Sequence, residues 1–150
     1  MPAEEKPIPP SEWQAIVENV PLVSVDIVVE RDGGILLGKR ENEPAKGEWF
    51  VPGGTLLKNE ARTEAAHRVA KEELGEPVVI GECLGTYEHF YDISEIEGVD
   101  SKHYVATAYR CHLEHDNPDL SGDDQYSALD VFQPPFNDLH PYVEQHLDDL

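Results

Sequence analysis

The sequence predicts a mixed α/β or α+β fold, and three observations support this. Strand-like segments rich in β-branched residues alternate with helix-like segments along the 150 residues. No repeat and no linker divides the chain. The hydrophobic content of 39% is enough for one core. We therefore expect residues 1–150 to form a single domain.

The first third of the chain predicts one helix followed by paired strands. Apolar residues at helical spacing predict a helix over Ser11–Val20, capped by Ser11 and ended by Pro21. Leu22–Glu30 and Ile35–Arg40 are strand-like, and the turn sequence RDGG between them predicts a hairpin. After the aromatic pair WF, the sequence VPGG predicts a strand end that breaks into a glycine turn.

The rest of the chain predicts a second helix, more strands and a closing helix. Ala61–Leu74 is rich in good helix formers, and Gly75 after it suits a left-handed helix end. Further strands are expected over residues 77–92, 102–115 and 126–132. The closing helix is expected from about Asn137 to the C-terminus.

The charge of the chain excludes several classes of partner. The sequence has 31 acidic and 11 basic residues, a net charge of −20 that is spread along the chain. Such a surface repels nucleic acid and anionic membranes, and it predicts a protein adapted to high salt. A basic partner is the alternative. The polar, proline-rich N-terminus lacks the apolar region typical of a signal peptide, and no apolar run is long enough to span a bilayer, so a cytoplasmic location is expected.

The cysteines and most of the histidines offer no metal site in the sequence. Cys83 and Cys111 are isolated, which argues against zinc or a disulfide framework and favours buried thiols. The histidines other than His89, including His112 and His115, are expected at the surface.

The stretch GGTLLKNEARTEAAHRVAKEELG, Gly53–Gly75, contains the residues that indicate a metal-binding site. On a helix, Glu72 and Glu73 share a face with Val69 near the helix C-terminus, where the dipole disfavours negative charge. A divalent cation such as Mg²⁺ would compensate, with a backbone carbonyl of the glycine turn as a further ligand. The alternative is a solvated face with an Arg68–Glu72 ion pair.

The spacing of this stretch resembles the Nudix box, Gx5Ex7REUxEExGU with U aliphatic. Matching residues are Gly54, Glu60, Arg68, the pair Glu72 and Glu73, and Gly75. The resemblance implies an α/β/α sandwich with a mixed sheet, and hydrolysis of a nucleoside diphosphate derivative with Mg²⁺ or Mn²⁺. It also implies a structural Glu60–Arg68 ion pair and metal binding by the two glutamates. Val69 and Glu76 depart from the pattern, since the family has glutamate and an aliphatic residue there.

Blocks outside the box resemble the GDP-mannose mannosyl hydrolase branch of this family. They are PLVSVDIVVE, LLGKRENEPAKGEWFVPGG, EHFYD and KHYV. That branch also lacks the glutamate replaced by Val69, and it cleaves the sugar C–O bond with inversion. The resemblance implies metal ligands at Gly53, Glu73 and Gln125, with Glu72 as an added ligand. It implies a nucleotide-sugar substrate, and we expect a homodimer.

The same resemblance assigns candidate substrate-binding residues. Arg40 and Tyr104 are candidates for the diphosphate, and Asp26, Lys39 and His89 for the sugar. Arg40, Tyr104 and His89 are also the candidate catalytic residues. Each has a structural alternative: a solvated strand end for Lys39 and Arg40, a buried acid for Asp26, and core aromatics for His89 and Tyr104.

Two further positions differ from the mannosyl hydrolases. Thr55 stands where the branch has an arginine that contacts the diphosphate, and Tyr126 stands where it has its histidine base. A tyrosine is a poor base at neutral pH. Candidate replacements are His103, Asp123, Asp124 and a repositioned His89.

Three functional hypotheses therefore remain open: C–O cleavage of a nucleotide sugar, P–O cleavage by a Nudix diphosphatase, and a nucleotide-sugar binder or sensor without turnover.

Overall fold

A computed structural model describes residues 8–116, 118–120 and 126–150. In this part of the chain the helices are α1 (Pro10–Asn19), α2 (Arg62–Leu74) and α3 (Pro141–Asp148). The strands are β1 (Leu22–Arg31), β2 (Gly34–Arg40), β3 (Trp49–Phe50), β4 (Gly53–Thr55), β5 (Val78–Tyr91), β6 (Lys102–Leu113) and β7 (Tyr126–Phe132). None of the described helices is long and apolar enough to cross a lipid bilayer.

The strands form a mixed sheet in the order β3-β2-β1-β6-β5, with β4 also paired to β1 and β7 to β2. Strands β1 and β6 run parallel, from the pair Leu22 and Tyr104 to the pair Glu30 and His112. The other pairs are antiparallel. The predicted mixed α/β architecture with helices on both sides of the sheet is confirmed.

Alternating residues of β1 pack into separate cores on the two faces of the sheet, as the two-residue period of a strand requires. Val25, Ile27 and Val29 pack against α2. Val28, on the opposite face, packs with Val143 of α3. A smaller cluster joins α1 to the loop between β5 and β6. Strand β1 thus lies at the centre of the molecule, with side chains directed to both layers.

The helix boundaries follow the sequence closely for α2 and less closely for α1 and α3. Helix α2 ends as predicted, because Gly75 takes a left-handed φ of 73° and donates to the Lys71 carbonyl. The predicted cap at Ser11 is wrong: α1 begins at Pro10, whose fixed φ suits the first helical position. Helix α3 begins after the predicted Asn137, because the His140 side chain accepts from the Tyr142 N–H and caps it there.

Two further expectations are corrected by the fold. The glycine pair of VPGG lies in strand β4 rather than in a turn, where Gly53 pairs with Asp26. A Cβ on Gly53 would lie 2.1 Å from Asp26 Oδ1, so glycine at this position leaves room for the Asp26 carboxylate beside β4. Of the cysteines, Cys111 is buried as expected, but Cys83 is exposed.

Candidate active site

A cleft of 310 Å³ opens on the α3 side of the sheet, where the ends of several strands meet. Strand β4 and the loops after β2 and β5 form its walls, and Trp13 of α1 contributes to it. Ionisable side chains on its surface include Asp26, Arg40, His89, Tyr91, Lys102 and Tyr104. Such a concave site with convergent polar groups is the usual form of a small-molecule binding site.

The cleft brings together most of the predicted substrate-binding residues. Asp26, Arg40, His89 and Tyr104 line it, as do the backbones of Gly53 and Gly54. Lys39 does not line it, because successive residues of a strand point to opposite faces and Arg40 takes the cleft side. The Lys39 side chain is instead exposed, and its predicted contact with the sugar has no support in the structure.

Arg40 is fixed at the cleft edge by the loop that follows β2. Its Nε donates to the Pro44 carbonyl at 2.8 Å, and its guanidinium lies 5.9 Å from the centre of the Phe50 ring. Lys102, which was not assigned from the sequence, is the second cation of the cleft. Its Nζ lies 2.8 Å from Glu95 Oε1 and 5.2 Å from the centre of the Tyr104 ring. Both cations can contribute to the binding of an anionic ligand.

Arg68 connects α2 to the loop after β4. Its Nε and Nη2 donate to the two carboxylate oxygens of Glu60 at 2.8 and 3.0 Å, which is the expected ion pair. Nη2 also donates to the Thr55 carbonyl at 2.9 Å. Hydrogen bonding to Arg68 holds the pKa of Glu60 below its usual range. This network fixes the strand that lines the cleft to the helix behind it.

The glutamate pair of α2 lies outside the set of residues that line the cleft. Glu72 is half-exposed, and its Oε2 accepts from Arg68 Nη1 at 3.1 Å, so the alternative i,i+4 ion pair is also present. Glu73 is buried, with 4% of its surface exposed. Among the described residues, no three His, Cys, Asp or Glu side chains form a group that could hold a metal ion. The predicted ligand Gln125, and Asp123 and Asp124, lie outside the described residues.

The predicted metal ligands nevertheless have the chemistry that a hard divalent cation prefers. Two carboxylates and the Gly53 carbonyl are oxygen ligands of the kind that Mg²⁺ and Mn²⁺ prefer. Any metal bound here would depend on this backbone carbonyl, or on residues beyond those described, to complete its coordination.

The two departures from the box have different structural consequences. Val69 is 1% exposed and belongs to the core between α2 and the sheet. A Cβ on Gly54 would lie 3.1 Å from its Cγ2, so this aliphatic side chain packs directly behind the cleft-lining strand. Glu76 accepts the backbone N–H of Asp119 at 2.7 Å, which explains how a carboxylate is accommodated after the helix.

His89 is the only one of the described base candidates that lines the cleft. It is 4% exposed, and burial lowers the pKa of its imidazole to about 4, so the ring is neutral at pH 7. Asp26 opposes this shift in pKa. The ring stacks on Tyr142 of α3, and the two ring centres lie 4.1 Å apart. Its Nε2 has no hydrogen-bond partner among the described residues.

The other described base candidates lie elsewhere. Tyr126 packs its ring against Gly38, where an added Cβ would lie 2.6 Å from it, and it is absent from the cleft lining. His103 stacks on the exposed Phe90 at 4.4 Å and is also absent from that lining.

Sequence analysis missed the residues of α3 that support the cleft. His146, expected at the surface, is 1% exposed, and its Nε2 lies 2.9 Å from Asp26 Oδ2. A signal was available: His146 falls between Val143 and Leu147 in the apolar stripe of the closing helix. That spacing indicates burial, but it does not identify the partner.

Comparisons with known proteins place these features in a family context. The family model described as "NUDIX domain" matches residues 20–146. The chain is 63% identical over 143 residues to the low-salt glycan biosynthesis protein Agl8 of Haloferax volcanii, covering 95% of this chain and 90% of that protein. It is 43% identical over 67 residues to an ADP-ribose pyrophosphatase of Methanocaldococcus jannaschii, covering 45% of this chain and 40% of that protein.

Solved structures show the same fold. The crystal structure of a MutT NUDIX hydrolase from Burkholderia pseudomallei matches with a TM-score of 0.68 and 29% identity. The match covers 88% of this chain and 99% of the Burkholderia chain.

Proposed function

Because the chain belongs to the NUDIX domain family, as its box predicted, we propose that it hydrolyses a nucleotide sugar by cleaving the sugar C–O bond. The products would be a nucleoside diphosphate and the free sugar, and a GDP-mannose-type substrate is favoured by the resemblance of the sequence blocks. The reaction would depend on a divalent metal, Mg²⁺ or Mn²⁺.

The observation that carries this proposal is the burial of Val69. At this position most Nudix enzymes have the glutamate that serves attack at phosphorus, whereas here a 1% exposed side chain fills the core. The ionisable groups of the cleft, which include His89 and Asp26, lie on the opposite side of β4 from Val69. Loss of a base near phosphorus, with polar groups retained on the sugar side, favours attack at the anomeric carbon.

The residues that would hold the metal are Glu72, Glu73 and the Gly53 carbonyl, with Gln125 as the further candidate. When bound, such a cation neutralises charge on the diphosphate and so makes it a better leaving group. The Glu60–Arg68 pair fixes the backbone of β4 relative to α2, which keeps the Gly53 carbonyl in place.

The remaining roles follow from the chemistry of the cleft. Arg40 and Tyr104 bind the diphosphate by charge and hydrogen bonding, and Asp26 accepts a hydrogen bond from a sugar hydroxyl. His89 is the candidate to accept a proton from the attacking water, because it lines the cleft and its buried ring is neutral at pH 7. A conjugate-acid pKa of about 4 makes it a weak base, which suits a dissociative, oxocarbenium-like departure of the sugar.

The name of the Haloferax relative supports an activated sugar as the substrate, since glycan assembly consumes nucleotide sugars. The shorter match to an ADP-ribose pyrophosphatase favours a second candidate, P–O cleavage in a nucleoside diphosphate derivative. A homodimer that works in a saline cytoplasm stays a prediction.

Hydrolysis of GDP-mannose in ¹⁸O-labelled water with Mg²⁺ and molar KCl tests the proposed bond cleavage, and a panel of other nucleotide sugars extends the test. We expect the label in the free sugar and unlabelled nucleoside diphosphate. Label in a phosphate, or release of a sugar phosphate and a nucleoside monophosphate, would replace the proposal with the diphosphatase. Mg²⁺-dependent binding without turnover would identify a binder.

A further inference from the structure

Helix α3 supplies a buried histidine to the back of the cleft. His146 Nε2 lies 2.9 Å from Asp26 Oδ2, although the two residues are 120 positions apart in the chain. The histidine side chain is 1% exposed, whereas the Asp26 side chain is 15% exposed and lines the cleft. We propose that His146 is a positioning residue that holds the Asp26 carboxylate in its ligand-binding orientation; the role of Asp26 in binding substrate rests on the proposed function.

The surroundings of His146 fix the orientation of its ring. Tyr87 packs edge-on against it with ring centres 4.6 Å apart, and the His89 ring lies 5.5 Å away. On its own helix, the neighbouring buried residues are Val143 and Leu147. A ring enclosed in this way has little room to rotate, so its Nε2 stays directed towards Asp26.

The hydrogen-bonding pattern defines which tautomer is present. Nδ1 of His146 is buried and has no partner among the described residues. A protonated Nδ1 would bury an unpaired N–H, which is costly, so the proton lies on Nε2 and is donated to the carboxylate. Asp26 Oδ2 therefore accepts a hydrogen bond from the Nε2–H of His146.

The Asp26 carboxylate is restrained from a second side by β4. An added Cβ on Gly53 would lie 2.1 Å from Oδ1, so this oxygen sits directly against the glycine backbone. With Oδ2 bonded to His146 and Oδ1 beside Gly53, the carboxylate cannot rotate without losing one of these arrangements. Fixing a binding group before the ligand arrives lowers the entropy cost of binding and catalysis.

A double-mutant cycle tests whether His146 acts through Asp26. His146→Met removes the donor and keeps the apolar volume, and we expect it to lower kcat/KM by at least about 10-fold. His146→Gln retains an amide donor and should restore much of that loss. In the Asp26→Asn background, His146→Met should add little further loss, because the group that it positions is already changed. Losses that multiply in the double variant would overturn the proposal.

Val143→Ala is the matched structural control. It weakens the packing of the same helix without touching Asp26, so the folded variant should lose stability and keep kcat/KM. If Val143→Ala lowered kcat/KM as much as His146→Met does, His146 would act only through packing, and the proposal would fail.

A readout independent of turnover separates this proposal from the proposed function. In ¹⁵N-imidazole NMR spectra at pH 7, His146 should show a proton on Nε2, and the Nε2 signal should move in Asp26→Asn. If the spectra show this but no nucleotide sugar is hydrolysed, the positioning contact stands and the substrate assignment fails. An Nδ1–H tautomer would overturn the positioning role whatever the substrate.

Discussion

Mild acid should destabilise this protein through one buried side chain, His89. The side chain is 4% exposed, and burial lowers its pKa from 6.5 to about 4. In the unfolded chain the imidazole regains its ordinary pKa. Between these two values the unfolded state binds more protons than the folded state, so stability rises with pH across the window and is lost as the pH falls.

The size of the effect follows from the two pKa values. Integrating the difference in bound protons between pH 7 and pH 5 gives a loss of about 2 kcal/mol from this group. A glutamine at this position does not titrate, so His89→Gln should lose about 2 kcal/mol less than the wild type over the same range. For a chain of this length, that difference corresponds to a relative shift in Tm of about 4 to 8 °C.

Denaturant unfolding of both proteins at pH 7 and pH 5, in constant molar KCl, measures this difference. His67→Gln, a substitution of an exposed histidine on α2, controls for the loss of one imidazole elsewhere. Equal pH dependence in wild type and His89→Gln would refute the reasoning, because it would mean that His89 is protonated equally in the folded and unfolded states.

The remaining predictions concern the metal, the charge and the glycine of β4. Glu73→Gln should lower turnover by at least about 100-fold with the fold retained, since it removes ligand charge at constant size, and normal activity with unchanged Mg²⁺ dependence would remove Glu73 from the metal site. Stability should rise from low salt to molar KCl because ions screen repulsion within a net charge of −20, and a steadily falling Tm would contradict adaptation to salt. Gly53→Ala should cost about 1–3 kcal/mol of stability and displace Asp26, because its Cβ would lie 2.1 Å from Oδ1. Gly54→Ala, which meets Val69 at 3.1 Å, should be milder, and equal effects in the unfolding and activity assays would count against the Asp26 contact.

Features that depend on neighbours in the chain were accessible from the sequence. The strand and helix periods predicted the mixed fold, and the resemblance to the Nudix box implied the ion pair between Glu60 and Arg68, which the structure contains. Helical spacing also placed Arg68 one turn from Glu72, and these residues do form an ion pair. The Arg68–Glu72 contact lies within one helix, so local backbone geometry is enough to bring these two residues together.

Features that depend on how distant elements pack were decided by the tertiary structure. The burial of Glu73 and the exposure of Lys39 follow from which faces of α2 and β2 the neighbouring elements cover. The placement of VPGG in a strand follows from its pairing with β1.

The contact between Asp26 and His146 shows this limit most clearly. The spacing along α3 indicates a buried histidine, but its partner depends on α3 folding back across β5 towards the centre of the sheet. Side-chain periodicity tells which face of an element is covered. Only the packing of the whole chain determines which residue, 120 positions away, lies at hydrogen-bonding distance beneath it.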